Sequence, residues 1–257
     1  MTTSTQIVAA CHGIEVPASP HLGPRMIESI TAGRYEGGEI AAGLACIPKG
    51  SRILELGAGA GVVGAVLAKN LAPAAMLSVE ANPGLIPNIR DLHTHNGLAD
   101  LIDLRNTVVL SAPDAPAEVT FHVRGNFLGS SLTPLREDRT RPVSVPVLRY
   151  GDLRRDFPHD AIMMDIEGGE LDFLRHADLS AVKGGTDAMG QCQFCHLGYV
   201  KGSGNRVVAF GIAAVVAILA AAALFLFLSL PDANAFNARV ERLFVQNDDL
   251  NTLAEIK

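Results

Sequence analysis

Short apolar runs alternate with stretches of helical spacing from residue 51 to residue 182. "SRILELG" (51–57) reads as a buried strand, "GVVGAVLAKNLA" (61–72) as a helix, and "AMLSVEANP" (75–83) as a second strand. "GLIPNIRDLHTHNGL" (84–98) reads as a helix closed by Asn96 and Gly97, and "LIDLRNTVVLS" (101–111) as a third strand. Strands that alternate with helices predict an α/β fold with a parallel sheet. Upstream, residues 1–33 are mixed, and "EVPASPHLGP" (15–24) reads as loop because Pro17, Pro20 and Pro24 each remove a backbone donor. "YEGGEIAAGLACIPKG" (35–50) reads as a short helix ended by Pro48 and Gly50. Downstream, "AEVTFHV" (117–123) and "RPVSVPVLRY" (141–150) alternate like strands around a polar link. "DAIMMDIEGGELDFLRHADLS" (160–180) then gives an apolar strand, an acidic turn, and a helix expected to turn Leu171, Leu174 and Leu179 inward.

The pattern changes after residue 182. Residues 183–206 are Gly-rich and read as a linker. Residues 207–230, "VVAFGIAAVVAILAAAALFLFLSL", carry no charge, and about 20 apolar residues suffice to cross a bilayer as a helix. A single transmembrane helix is therefore expected there. Lys183, Lys201 and Arg206 before it and Arg239 and Arg242 after it lean toward a cytoplasmic N-terminal part. The tail, 231–257, is polar and helical. Phe236, Val240, Leu243, Asn247, Leu250 and Ala254 follow a coiled-coil spacing that could pair two chains or hold a protein partner, although the run is under three heptads and an amphipathic surface helix fits its length better.

Composition narrows the function classes. A net charge of -6 with no clustered Lys/Arg footprint argues against a nucleic-acid partner. Four cysteines, Cys11, Cys46, Cys192 and Cys195, are too few for a disulfide framework and point to a reducing compartment. The start, "MTTSTQIVAACHG", lacks the basic and long apolar regions of a secretory leader.

Candidate chemistry gathers at the first strand-to-helix turn. Gly57, Gly59 and Gly61, with Ala58 between them, follow a strand and open a helix, where backbone can approach a ligand closely. Gly59, Gly61 and Gly64 also satisfy G-x-G-x-x-G, so a dinucleotide is the rival ligand. Glu80 ends the second strand about 20 residues on, where a carboxylate can accept both ribose hydroxyls of an adenosine from either ligand. Glu55 discriminates. A carboxylate two residues before the first glycine would repel a pyrophosphate, whereas S-adenosylmethionine has no phosphate and carries positive charge at sulfur and amine.

"ILELGAGAGVVG", "SVEANP", "GSSL…RPVSVPVLRYGDL" and "DAIMMDIEGGELDFLRHADL" together resemble the FkbM-type S-adenosylmethionine-dependent methyltransferases over about residues 35–182. The resemblance implies a Rossmann-like sheet with the cofactor loop at Glu55, Gly57, Gly59 and Gly61. It also implies a ribose carboxylate at Glu80 with Asn82 beside it, and an Asp-x-Glu-Gly turn at Asp165, Glu167 and Gly168. It further implies O-methylation of a sugar or another small-molecule hydroxyl. The residues agree independently in part: two carboxylates at the carboxyl edge of a parallel sheet lie where such sheets place ligands, and Asp165 or Glu167 could act as general base. Glu167 could equally cap the following helix. His12, His21, His93 and His95 are scattered surface or loop types, any of which could supply a base.

The family pattern continues with another apolar strand where this chain has "AVKGGTDAMGQCQFC", so the sheet is expected to be truncated after its fourth strand–helix unit. Cys192-Gln-Phe-Cys195-His196 matches the c-type haem attachment signature and offers three ligands toward zinc; an incidental spacing is the favoured reading. The sequence thus predicts a membrane-anchored methyltransferase. The alternatives are a catalytically silent membrane-anchored interaction protein and a membrane-bound c-type cytochrome.

Overall fold

The computed structural model describes residues 6–125, 129–133, 139–166, 169–180, 182 and 208–210. Its centre is a parallel sheet built from β3 (Arg52–Leu56), β4 (Ala75–Glu80), β5 (Ile102–Asn106), β9 (Ala161–Met164) and β10 (Val208–Phe210), in the order β10-β9-β3-β4-β5. Helices α3 (Val62–Leu71) and α4 (Ile86–His95) make the crossovers from β3 to β4 and from β4 to β5. β9 returns to the other side of β3, pairing Leu54 with Ile162 and Leu56 with Met164. The strand order therefore reverses beside β3, and in open α/β sheets such a reversal opens a crevice at the carboxyl ends of the strands.

The central strands β3, β4 and β9 are largely apolar because both faces of the sheet are covered there. Ile53, Met76 and Met163 pack on one side with Val66 and Leu67 of α3, and with Ile40 of α2 (Gly37–Cys46). Leu54, Leu77, Ile162 and Met164 pack on the other side with Tyr150 and Leu153 of α5 (Tyr150–Asp156) and Phe173 of α6 (Glu170–His176). Adjacent residues on one strand thus enter opposite cores, the period-two consequence of the pleat. Each fully buried Leu, Ile or Met contributes about 1.5–3 kcal/mol. A second sheet, β6 (Val108–Leu110), β8 (Thr140–Arg149) and β7 (Glu118–Arg124) in the order β6-β8-β7, pairs β7 and β8 antiparallel and β6 and β8 parallel.

Three expectations are corrected. Residues 101–111 form two strands, because Thr107 interrupts the run: its N–H donates to the Glu80 carbonyl (3.2 Å) and its hydroxyl to the Pro146 carbonyl (2.7 Å), sending β6 into the second sheet. Of the loop read over 15–24, residues 18–23 carry no helix or strand as expected, whereas Glu15–Pro17 fall in a hairpin and Pro24 in a helix. β1 (Ile7–Cys11) pairs with β2 (Ile14–Pro17) across His12 and Gly13, both at positive φ, with Ile14 and Val16 buried. Pro24 begins α1 (Pro24–Thr31) rather than breaking a helix, since the first helical position needs no N–H partner. The sheet does not end at β9: β10 pairs parallel with it, Val208 against Ile162 and Phe210 against Met164.

That strand also takes the first residues of the expected membrane span, whose remainder lies outside the described residues. No helix among the described residues is long and apolar enough to cross a membrane. Of the side chains expected to face inward from α6, Leu174 and Leu179 pack against the core beside buried Phe173, and the Leu171 side chain lies outside the described residues. The Gly-rich linker, the Cys192-x-x-Cys195-His196 segment and the polar tail lie outside the described residues.

Candidate functional site

The strand reversal brings the ends of β3, β4 and β9 around one cavity of about 1030 Å³. The three glycines of the turn after β3 adopt positive φ: +88° at Gly57, +55° at Gly59 and +79° at Gly61. Gly57 is also forced by proximity, because a Cβ there would lie 1.8 Å from the Asp165 carbonyl oxygen. The strand ends are tied together by the Asp165 N–H donating to the Leu56 carbonyl at 2.9 Å. The Gly57 and Ala58 N–H groups both donate to the Val79 carbonyl (2.9 and 3.0 Å), so these amides hold the turn to β4.

Glu80 closes the turn. It is 6 % exposed, and its carboxylate accepts the Gly59 N–H at 2.8 Å and the Asn82 N–H at 2.7 Å. Asn82, also buried, accepts the Gly84 N–H at 3.0 Å and lines the cavity. Burial pushes the Glu80 carboxyl up to about 7 against the opposing pull of the Asn82, Gly59 and Ala81 amides.

Glu55, 2 % exposed, accepts the Ser78 hydroxyl at 2.5 Å. Its carboxylate lies against Gly64 in the first turn of α3: a Cβ on Gly64 would fall 2.3 and 2.7 Å from its two oxygens. Burial drives the Glu55 carboxyl up to about 7, with the Ser78 hydrogen bond opposing, the neighbouring Glu80 charge adding, and the Gly64 amide opposing. Gly64, the last glycine of the dinucleotide-like string, therefore makes room for a carboxylate of the chain itself.

The sequence-predicted residues Glu55, Gly57, Ala58, Gly59, Glu80, Asn82 and Asp165 all line this cavity. Gly61 sits behind it as the N-cap of α3, its hydrogen-bearing face against Ile89 and Leu92 of α4. Glu167 and Gly168 lie outside the described residues, as do Cys192, Cys195 and His196. Of the candidate histidines, none lines the cavity. His21 Nε2 is 3.1 Å from the Gly84 carbonyl, His95 bonds Glu15, His12 sits in the β1–β2 turn, and His93 is buried in α4. His176, at the end of α6, is the histidine on the wall.

Sequence reasoning missed the wall formed before β3. Tyr35, Glu36 and Glu39 line the cavity at the start of α2. Burial, then the charges of Glu36, Asp165, Glu39 and Glu80, push the Tyr35 phenol well above its ordinary range, so it stays a hydrogen-bond donor. Glu36 holds a left-handed backbone (φ 46°), a cost of about 1–2 kcal/mol for a residue with a Cβ. The signal available was the acidic string "YEGGE" ahead of an apolar helix, but nothing in its spacing says which sheet end it meets. The opposite wall comes from the second sheet: Phe121 and Arg124 of β7 and the buried Ser130 and Ser131, with the Ser130 hydroxyl accepting the Arg124 N–H at 3.0 Å. The described lining thus carries Glu36, Glu39, Glu55, Glu80, Asp165 and Asp172 against Arg124 and His176. Such a cavity attracts a cationic ligand and repels a polyphosphate.

The model of the family described as Methyltransferase FkbM domain matches residues 57–211, more than half of the chain and past the 182 at which the resemblance was expected to end. No curated protein matches the chain. Among solved structures, a protein of the NADB-Rossmann superfamily from Streptococcus agalactiae is 17% identical over 56% of this chain and 48% of its own, with a TM-score of 0.35. The chain thus spans about half the length of that protein. A precorrin-6y C5,15-methyltransferase from Geobacter metallireducens is 14% identical over 85% of this chain and 79% of its own, with a TM-score of 0.42. An RNA methyltransferase from Salinibacter ruber, in complex with S-adenosyl-L-homocysteine, is 13% identical over 57% and 68%, with a TM-score of 0.32.

Proposed function

The chain belongs to the FkbM methyltransferase domain family, and on that premise we propose that it uses S-adenosylmethionine to methylate a hydroxyl of a small-molecule acceptor such as a sugar. The observation that carries this reading is the Glu55 carboxylate packed against Gly64 at the start of α3. A dinucleotide would bring its pyrophosphate to that helix end, onto a buried acid. S-adenosylmethionine brings no phosphate, and the carboxylates lining the cavity complement its two cationic centres.

S-adenosylmethionine supplies an electrophilic methyl group on a sulfonium. Glu80, fixed by the Gly59 and Asn82 amides, keeps lone pairs for ribose hydroxyls, and the glycine turn allows close backbone approach. We assign proton removal from the acceptor hydroxyl to Asp165, a reading supported by its place on the cavity wall beside the glycine turn, where its backbone N–H is bonded to the Leu56 carbonyl. Tyr35 stays protonated, so its hydroxyl can donate a hydrogen bond to a ligand at the acidic wall. The serine hydroxyls and Arg124 of the opposite wall offer polar contacts to a hydroxylated acceptor. Alignment in this cavity contributes more than proton removal, as expected where nucleophile and methyl donor need only be held in line.

Radiolabelled S-adenosylmethionine incubated with the full chain and a small-metabolite extract tests the reaction. A labelled small-molecule product shown by mass spectrometry or NMR to be a methyl ether, and lost with Asp165→Asn, supports O-methylation; label appearing only in protein, in base-labile esters, or on nitrogen or carbon contradicts it.

Membrane attachment is part of the same proposal. With Val208–Phe210 in the sheet, residues 211–230 still form an uncharged run of twenty, about the length needed to span a bilayer. Recovery of the protein in a carbonate-resistant membrane fraction supports it, and full release at alkaline pH contradicts it.

A further inference from the structure

A second chamber of about 790 Å³ adjoins the acidic cavity, and the two share Ser111, Ala112 and His176 in their walls. Its charge is opposite in character. Arg149, Arg154 and Arg155 enter it together with Asp152 and Asp178. Arg154 is neutralised by the Asp178 carboxylate and is further held by the Asp178 carbonyl (2.8 Å) and the Ser180 hydroxyl (3.0 Å). Arg155 is neutralised by Asp152 at 2.5 Å. Arg149 is different. Its Nε and Nη2 donate to the uncharged Ala115 carbonyl (3.3 and 3.2 Å), and no carboxylate among the described residues pairs with it. Those two bonds fix the guanidinium plane while leaving Nη1 for another acceptor, and a fixed guanidinium fork suits an oxyanion.

An acceptor reaching Asp165 cannot rest a negative group among the carboxylates of the first cavity without repulsion. Across the Ser111–Ala112 boundary it meets Arg149. Ser111 is itself held there, its hydroxyl donating to the Phe173 carbonyl at 2.6 Å.

We propose that the chamber around Arg149 is an anion subsite for the acceptor, so that the compound methylated carries both a hydroxyl and an oxyanion such as phosphate, sulfate or carboxylate. This rests on the methyltransferase reading of the adjoining cavity. The subsite selects acceptors by charge at a point remote from the methylated oxygen, and Arg149 is a specificity-determining residue rather than a catalytic one.

Inorganic phosphate, titrated calorimetrically into the full chain at constant ionic strength, is the probe, with S-adenosylmethionine titrated in parallel. The expected result is saturable phosphate binding weakened about tenfold or more by Arg149→Met, with S-adenosylmethionine affinity unchanged. Since Arg149→Met also removes the donor to Ala115, Arg149→Lys serves as a second variant that keeps a positive charge and a donor but loses the fork, and it too weakens phosphate, though less. Phosphate that fails to bind, or binds equally to wild type and both variants while S-adenosylmethionine still binds, overturns the subsite. Phosphate binding that depends on Arg149 in a protein that ignores S-adenosylmethionine would instead strike the methyltransferase reading.

Discussion

Replacing Glu55 by Gln isolates the cost of keeping a carboxylate inside the unliganded site. Glu55 is buried, and burial raises its carboxyl from 4.5 to about 7. A raised carboxyl works against folding as it ionises. The contribution is neutral below about pH 4.5, where folded and unfolded chains are both protonated, and becomes destabilising as pH rises through 7. At about 1.4 kcal/mol per pH unit, the interval corresponds to about 3 kcal/mol as a ceiling. Glutamine keeps the shape and removes the charge: its carbonyl can accept the Gly64 N–H and its amide can donate to the Ser78 oxygen, so the loss of the Ser78 donor bond offsets part of the gain equally at both pH values. Urea unfolding of ligand-free wild type and Glu55→Gln at pH 5 and pH 8 reads the difference. The variant should gain on wild type by about 1–3 kcal/mol between the two pH values while its S-adenosylmethionine affinity falls. A stability difference that is the same at both pH values would refute the buried-carboxylate argument, whatever its size.

Other consequences follow from single contacts. Gly57→Ala should destabilise by about 2–5 kcal/mol, combining left-handed backbone with a Cβ driven into the Asp165 carbonyl, and the urea midpoint measures it. Gly64→Ala gains helix propensity but pushes the Glu55 carboxylate aside, so a folded protein with weakened S-adenosylmethionine binding is expected by calorimetry. His93, 2 % exposed with Nε2 lacking a partner among the described residues, has its pKa lowered by burial to about 4. Its stability contribution is present above about pH 6.5 and is lost as pH falls toward 4. His93→Leu should therefore flatten the acid limb of a stability–pH profile by up to about 3 kcal/mol. Asp165→Asn should lower methyl transfer by about a hundredfold or more while leaving S-adenosylmethionine affinity within a few fold, as expected for a general base.

The strands and glycine turn were legible because their signals are local. Ala161 to Met164 are buried on both faces and so read as an unbroken apolar run, Ile53 to Leu56 are equally buried and apolar apart from Glu55, and Glu80 lies one strand beyond the turn it closes. The Thr107 break was not legible, since its partners, Glu80 and Pro146, are set by tertiary pairing. Tyr35 and Glu39 were missed for the same reason: only the packing of α2 beside α3 carries that acidic segment to the ends of β3 and β9. β10 was hidden by composition, because a short apolar strand heading a long uncharged run has the appearance of the run itself. The orientation of Glu55 was likewise invisible, although its charge already distinguished the two candidate ligands.

The central claim is that the glycine turn and its two buried carboxylates receive S-adenosylmethionine. Calorimetric titration of S-adenosylmethionine, and separately of NADH, into the full chain and its Glu80→Ala variant tests this most directly. The account predicts saturable S-adenosylmethionine binding to wild type, lost in Glu80→Ala, and no heat from NADH; binding of NADH in preference to S-adenosylmethionine by the folded wild-type protein would contradict it.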